Sequence, residues 1–155
     1  MAIIKPNNNT LSAITGLPAG VGGKVLQVVS TSNTTETTST STSWVDTALT
    51  VNITPSSSSN KIYIIGSTNG QSAGGEKNNL SIFRDSTNLG IADTGFGRSF
   101  NTDELMEKAT ISYLDSPSTT SQITYTLKLR STSGGTVQVN CGSSRGSITV
   151  MEVSA

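Results

Sequence analysis

The clearest pattern of apolar and polar positions in the chain lies between residues 109 and 130. From Ser121 to Arg130 every second residue is apolar and its neighbours are polar, and the apolar residues are Ile123, Tyr125, Leu127 and Leu129. This is the period of a β-strand with one face towards a core and one towards water. Residues 110–114 repeat the alternation, and Pro117 with the Ser/Thr residues after it is typical of a turn. The pattern predicts an antiparallel hairpin in the middle of a sheet.

Other strand-like segments follow at near-regular spacing and are separated by turns rich in Gly, Pro, Ser and Asn. They are residues 24–30, 44–54, 61–66, 80–84, 89–92, 136–141 and 147–153. The Ser/Thr segment 30–43 is interpreted as either a long loop or an exposed edge strand, and residues 70–79, with two adjacent glycines, as a mobile loop. About eight short strands without a long helix predict an all-β fold, an antiparallel sandwich of the jelly-roll type.

Three of the predicted strands are apolar on both faces rather than on one. They lie at residues 25–29, 62–65 and 148–153. One face of each is expected to fill the sandwich, and the other to be covered by an N-terminal arm or by another subunit. We favour another subunit, because a short arm covers little of a sheet. The candidate subunit-interface residues are Tyr63, Ile65, Met151 and Val153.

Residues 1–23 differ in character from the rest of the chain. Their apolar side chains are widely spaced among small and polar residues, and the segment ends in Pro18 and three glycines. A helical turn capped by Asn9 or Thr10 would be too short to be stable alone in water, so the segment needs a surface on which to lie. We interpret residues 1–23 as an anchoring arm and residues 24–155 as the β-sandwich domain. The candidate partner-binding residues of the arm are Ile3, Ile4, Leu11, Ile14 and Leu17.

Charge and hydropathy exclude several classes of partner. Ten Lys and Arg residues balance ten Asp and Glu residues, so the net charge is zero. This balance argues against nucleic acid or an anionic membrane as a partner. No apolar run approaches the ~20 residues of a membrane-spanning helix, and the first residues do not resemble a signal peptide. We therefore expect a soluble protein that is made in a cytoplasm.

The residue types needed for most enzyme chemistry are missing. The sequence contains no histidine, which removes the usual general base, the His-dependent nucleophile systems and the commonest metal ligand. We expect a protein that is not an enzyme and that binds no cofactor. The single cysteine, Cys141, excludes an intramolecular disulfide, and its alternation with Val137 and Val139 predicts a buried core position.

Two weaker candidate sites have less specific alternatives that we favour. A Ca²⁺ site is conceivable if the carboxylates of the following residues gather on one rim, but solvated surface carboxylates are the simpler interpretation. These residues are Asp93, Asp103, Glu104 and Glu107. Trp44 is either a platform on which a sugar ring stacks or, as we favour, an anchor at the edge of the core.

Several segments together carry a resemblance to a known family. They are Gly23-Lys-Val-Leu-Gln-Val-Val-Ser30, Trp44-Val-Asp46, Val51-Asn-Ile-Thr-Pro55, Arg84-Asp-Ser86 with Leu89-Gly90, Ile111-Ser-Tyr-Leu-Asp-Ser-Pro117 and Ile148-Thr-Val-Met-Glu152. They resemble small virion proteins of tailed bacteriophages, notably marine and cyanobacterial phages, which are often described as tail-fibre-like. The likeness covers residues 23–155. It implies a trimeric virion jelly roll, similar to the tumour-necrosis-factor and complement-head folds, and it implies no catalytic residue.

The expected function is that of a virion structural protein. We expect a homotrimeric capsid decoration, or cement, protein that binds the major capsid protein through its N-terminal arm and stabilises the head shell at the capsid surface. The alternative is a tail fibre or receptor-binding tip module that contacts tail or fibre proteins and recognises a host surface glycan. A fibre would normally carry a longer shaft or a repeat, so we favour the head.

Overall fold

A computed structural model describes residues 24–73, 75–100 and 107–155. These residues form eleven β-strands and one 3₁₀ turn, with no α-helix among them. The strands are β1 Val25–Asn33, β2 Thr37–Ser39, β3 Val45–Ile53, β4 Lys61–Ser72, β5 Lys77–Arg84, β6 Thr87–Asn88, β7 Gly97–Phe100, β8 Glu107–Asp115, β9 Ile123–Ser131, β10 Val137–Val139 and β11 Gly146–Val153. The 3₁₀ turn spans Cys141–Ser143.

The strands are arranged in two antiparallel sheets. The first sheet has the order β1-β11-β4-β10-β2, with β8 on the other side of β4, and the second has the order β3-β9-β5-β6, with β7 also on β5. When the eight principal strands are numbered along the chain as β1, β3, β4, β5, β7, β8, β9 and β11, the sheets contain strands 1-8-3-6 and 2-7-4-5. This is the strand order of a jelly roll. The predicted all-β sandwich is confirmed.

The core fills the space between the two sheets. Alternating side chains of β9 are buried, as its pattern predicts, and so are the inward side chains of β3, β4, β10 and β11. Full burial of a large apolar side chain contributes about 1.5–3 kcal/mol as an upper bound. The core residues of β9 are Ile123, Tyr125, Leu127 and Leu129.

The predicted hairpin between residues 109 and 130 is wrong, although both of its strands exist. Strand β9 lies between β3 and β5 in the second sheet, so its position in the middle of a sheet is confirmed. Strand β8 pairs with β4 in the first sheet instead of with β9. The connection between β8 and β9 therefore crosses from one sheet to the other. Alternation shows that a strand has one buried face, but it does not show which backbone completes its hydrogen bonds.

A buried cluster of polar side chains links β8 to the second sheet, although the predicted backbone pairing of β8 with β9 is absent. Both carboxylate oxygens of Asp115, on β8, accept hydrogen bonds of 2.9 Å from Arg84 of β5. The hydroxyl of Tyr125 on β9 donates to the same carboxylate at 2.7 Å. Burial, together with this neighbouring carboxylate, raises the pKa of Tyr125. Strands β8 and β9 therefore contact each other through side chains.

The loop predicted at residues 70–79 is shorter than expected, because β4 continues to Ser72 and β5 begins at Lys77. The turn between these strands is held by Glu76, whose buried carboxylate accepts hydrogen bonds from Thr132, Ser133 and Gly135 and from the backbone N–H that follows it. Burial alone would raise the pKa of this carboxyl group, but the hydrogen bonds outweigh that effect and lower the pKa to about 2. The turn is therefore fastened to the β9–β10 connection.

The Ser/Thr segment 30–43 is an edge of the first sheet rather than a long loop. Strand β1 continues to Asn33, and β2 pairs with β10 in the continuation of the same edge. The buried side chain of Asn140 holds the bend between the two strands, since its amide nitrogen donates to the carbonyl oxygens of Asn33 and Thr35 at 3.3 and 3.2 Å. The edge-strand interpretation is confirmed for β2.

Cys141 is buried, as predicted, but it opens the 3₁₀ turn instead of ending a strand. Burial, with a smaller contribution from the charge of Glu36, raises the pKa of its thiol. The cysteine is therefore a small core residue with little thiolate character near neutral pH.

Candidate interaction surface

The outer face of the first sheet carries a continuous row of apolar side chains across four neighbouring strands. Val28 lies opposite Met151, Met151 opposite Tyr63, and Tyr63 opposite Leu114. Residues directly opposite each other in antiparallel strands point to the same face of the sheet. Val28 is 56 % exposed and Leu114 is 49 % exposed. We call these four residues the apolar row.

Further apolar side chains extend the row into a patch. Val25 lies opposite Val153 at the start of β1, and Leu26 is the extra residue of a bulge in that strand. Ile65 follows Tyr63 on the same face of β4. We call the whole set the apolar patch: Val25, Leu26, Val28, Tyr63, Ile65, Leu114, Met151 and Val153. Several of its members are about half exposed in the described part of the chain.

The four candidate interface residues predicted from the sequence all lie in this patch. Tyr63, Ile65, Met151 and Val153 are partly exposed on the face that points away from the core. Leu114 was not predicted, because the alternation of its strand assigned it to the polar side. An apolar residue on a predicted polar face was the available signal. Whether these residues form a subunit interface stays a prediction.

The other half of the same face is lined by hydroxyl groups. Ser30 lies opposite Thr149, and their hydroxyl oxygens are 2.8 Å apart. Further along, the hydroxyl oxygens of Ser67 and Thr110 are 3.3 Å apart on neighbouring strands. We call this part the hydroxyl half. The apolar patch is therefore confined to one end of the sheet.

The N-terminal segment joins the domain at the apolar end of this face. Strand β1 begins at Val25, within the apolar patch, and runs towards the hydroxyl half. The carbonyl oxygen of Lys24 accepts a hydrogen bond of 2.8 Å from the backbone N–H of Ser154. The predicted arm residues lie outside the described residues: Ile3, Ile4, Leu11, Ile14 and Leu17.

Glu152 stabilises the strands that display the patch. It lies between Met151 and Val153 in the sequence, but its side chain points to the opposite face of β11, where it is fully buried and accepts hydrogen bonds of 2.6–2.8 Å from Gln27, Ser56 and Asn60. Burial would raise the pKa of this carboxyl group, but the hydrogen bonds lower it to about 2. Sequence reasoning missed this residue, and an acidic residue inside an apolar strand was its only signal. The carboxylate ties β1 and β11 to the loop after β3.

Trp44 lies on the outer face of the second sheet, where its ring is used for packing. Its ring meets that of Phe83 edge to face at 5.7 Å, and its indole N–H donates to the carbonyl oxygen of Ala92 at 2.9 Å. The guanidinium of Arg130 lies 5.7 Å from the centre of the Trp44 ring. The ring therefore packs against other side chains of the outer face, and neither Trp44 nor Phe83 belongs to the core cluster.

Of the four carboxylates considered for a Ca²⁺ site, the described part of the chain includes the side chain of Asp93 alone. Asp93 is exposed and forms an ion pair of 2.9 Å with Arg130. Asp103 and Glu104 lie outside the described residues, and the side chain of Glu107 does too. Across residues 24–73, 75–100 and 107–155, no group of three Cys, Asp or Glu side chains is arranged to hold a metal ion.

A cavity of about 320 Å³ lies beside β4, β7 and β8. Leu80, Phe96 and Ile111 form its apolar wall, and Arg98 and Lys108 add two cations. None of its described lining residues is a carboxylate or a cysteine.

Fold and surface together define a jelly-roll protein with an exposed apolar patch on one sheet. No family model matches the sequence, and no curated protein matches it. Among solved structures, the fold is similar to a chain of the T13 IBDV viral particle, with a TM-score of 0.45 and 11% identity over 83% of this chain. The match spans 36% of that viral chain. No helix in the described part of this chain is long and apolar enough to cross a membrane.

Proposed function

We propose that the protein is a structural component of a bacteriophage virion, namely a homotrimeric decoration, or cement, protein on the capsid surface. One observation carries this proposal: the apolar patch and the junction with residues 1–23 lie at the same end of a rigid jelly roll. In this proposal the patch joins the copies of the trimer, and the arms that leave from the same end of each copy bind the shell. The resemblance of the sequence to small phage virion proteins supports the same role.

The energetics of the arm favour attachment by several copies acting together. Each apolar side chain of the arm that is buried in a groove contributes about 1.5–3 kcal/mol. Ordering the backbone costs about 1–2 kcal/mol per residue, so the net contribution of one arm is small. Three arms on one trimer raise the effective concentration of each at the shell. We propose the major capsid protein as the partner.

The proposed role requires neither catalysis nor a cofactor. The strongest pKa shifts in the described residues belong to Glu76, Tyr125 and Glu152, and all three groups are held in hydrogen bonds that link strands and turns. Groups used in this way stabilise the fold and do not face a substrate. The proposed protein is accordingly a binding and structural component, with no role for nucleic acid or membrane.

The alternative function is a tail fibre or receptor-binding tip that recognises a host glycan. The observation that favours it is the outer face of the second sheet, where Trp44 is partly exposed near the exposed carboxylates of Asp46 and Asp93. Aromatic rings and carboxylates are groups that contact sugar rings and hydroxyls. We place this function second, because the ring and its indole N–H already make contacts within the domain.

Deleting residues 2–22 tests the proposal in particles that lack the natural protein. The truncated protein should fail to bind these particles, because the arm supplies the attachment, while the full-length protein should be located on the head shell by electron cryomicroscopy. Replacing Asn7, Asn8 and Asn9 by serine is the matched control and should leave binding unchanged. Normal decoration by the truncated protein would show that the attachment site lies in the β-domain, and density at a fibre tip would favour the alternative.

A further inference from the structure

We propose that the occupant of the apolar patch is a second copy of this chain, so that the apolar rows of neighbouring copies pack together around a three-fold axis. The number of copies, three, is the part of this inference that rests on the proposed function. It extends the candidate interface from four residues to the whole patch, including Val25, Leu26, Val28 and Leu114.

The size of the patch matches that of an interaction surface. Its half-exposed and partly exposed side chains together present on the order of 500 Å² of apolar surface, within the range of the largest apolar patch on a typical monomer, which is often functional. A stable protein interface buries about 800 Å² per partner. The patch therefore supplies the apolar centre of such an interface, and its polar surroundings supply the rim.

The distribution of charge favours a copy of the same chain over an unrelated partner. Close to a three-fold axis the three equivalent copies of a side chain approach one another, so a charge there would meet two like charges. The apolar row contains no charged residue across its four strands. Lys61 lies opposite Val153 at the margin of the apolar patch, whereas Lys108 and Arg145 lie at the far end of the face, beyond the hydroxyl half. The whole chain has a net charge of zero and does not repel its own copies.

Buried polar contacts hold the patch in one conformation before any partner binds. Glu152 separates Met151 from Val153 and is fixed by four hydrogen bonds from three residues. On the opposite edge, Leu114 precedes Asp115, which is fixed by Arg84 and Tyr125. A surface that is already ordered loses little conformational entropy on association.

The test is the oligomeric state of the purified full-length protein by sedimentation equilibrium. The natural chain of 16.0 kDa should sediment as a particle of about 48 kDa. Val28→Lys and Met151→Glu each place a charge in the apolar row and should weaken association at least a hundredfold. Val28 is the safer site for folding, because it is exposed on an edge strand. Circular dichroism and thermal unfolding establish that each variant folds.

The matched controls lie on the same strands and the same face. Ser147→Glu is four residues from Met151 and lies opposite Ser32 and Ser67, and Thr110→Glu is four residues from Leu114. Both should leave the trimer intact. A trimer that survives both Val28→Lys and Met151→Glu would overturn the assigned surface.

The other occupants of the patch are outcomes of the same experiment. A natural protein that is monomeric at all concentrations overturns the inference. If residues 24–155 alone then bind an apolar dye that the full chain does not bind, the occupant is the arm. A monomer found on the head shell would leave the proposed virion role in place, and a trimer held by this patch at a fibre tip would leave this inference in place. The two proposals therefore fail separately.

Discussion

Glu76 and Glu152 are two carboxylates that the domain buries and keeps ionised. Glu76 accepts five hydrogen bonds: four from the backbone N–H groups of Lys77, Thr132, Ser133 and Gly135, and one from the hydroxyl of Ser133. Burial of a charged group is unfavourable, but several directed donors reverse its effect on the pKa. Each carboxylate therefore links, through its hydrogen bonds, segments that are distant in the sequence.

These two residues make the stability of the protein sensitive to acid. Their pKa of about 2 in the folded protein is below the ordinary value of 4.5, so their contribution is complete above pH 4.5 and is lost as the pH falls towards 2. We expect the free energy of unfolding, measured in urea, to decrease between pH 5 and pH 3. Glu76→Gln and Glu152→Gln should each destabilise the protein at pH 7 by about 1–3 kcal/mol.

The double variant Glu76→Gln/Glu152→Gln should show a flatter dependence of stability on pH than the natural protein. Asp46→Asn is the control, because Asp46 is 71 % exposed and its ion pair with Lys128 lies on the surface. An equally steep decrease in the double variant would place the acid-sensitive groups elsewhere.

At the scale of the elements, one buried asparagine connects strands of the first sheet that are far apart in the chain. Asn140 lies between β10 and the 3₁₀ turn with a left-handed φ of 54°. Its side chain donates to the bend after β1 and accepts a hydrogen bond of 2.9 Å from Thr68 of β4. Gly146 packs so closely against Asn140 that a Cβ atom at this position would clash with the Asn140 side chain.

We expect Asn140→Ala to destabilise the protein by about 2–4 kcal/mol, since it removes these hydrogen bonds and places alanine in a left-handed conformation. Asn140→Gly should cost about 1–2 kcal/mol less, because glycine adopts that conformation without strain. Urea unfolding of the two variants measures both quantities. Equal losses would mean that the left-handed conformation contributes nothing to the difference.

At the scale of the whole molecule, the described residues form a hydrophobic core that draws on both sheets, from Leu49 on β3 to Val150 on β11. In the proposed function residues 1–23 serve attachment, and residues 24–155 are expected to fold without them. The assignment of two regions stays a prediction.

The melting temperature of residues 24–155 should be within a few degrees of that of the full chain. A change of 1 kcal/mol in stability shifts the melting temperature of a domain of this size by about 2–4 °C. The measurement is differential scanning calorimetry at equal concentrations of protomer, because association also raises stability. A loss of more than 10 °C would mean that the arm is part of the fold.

The sequence by itself determined which residues alternate, and alternation determines which side of a strand is buried. The buried face of β9, the position of Cys141 in the core and the all-β class follow from local pattern and elementary burial energetics. The four candidate interface residues also follow, since strands that are apolar on both faces must display one apolar face outside the sandwich.

Only the tertiary structure decided which strands pair and which polar side chains are buried. Both strands of the predicted hairpin bury one apolar face, so pairing each of them in a separate sheet satisfies the same pattern. Glu76, Asn140 and Glu152 are polar residues whose burial depends on donors and acceptors supplied by distant segments. The hydrogen-bond partners of these residues are tens of residues away in the sequence, so a local sequence pattern does not predict their burial. The continuity of the apolar row likewise depends on strand register, which the tertiary structure sets.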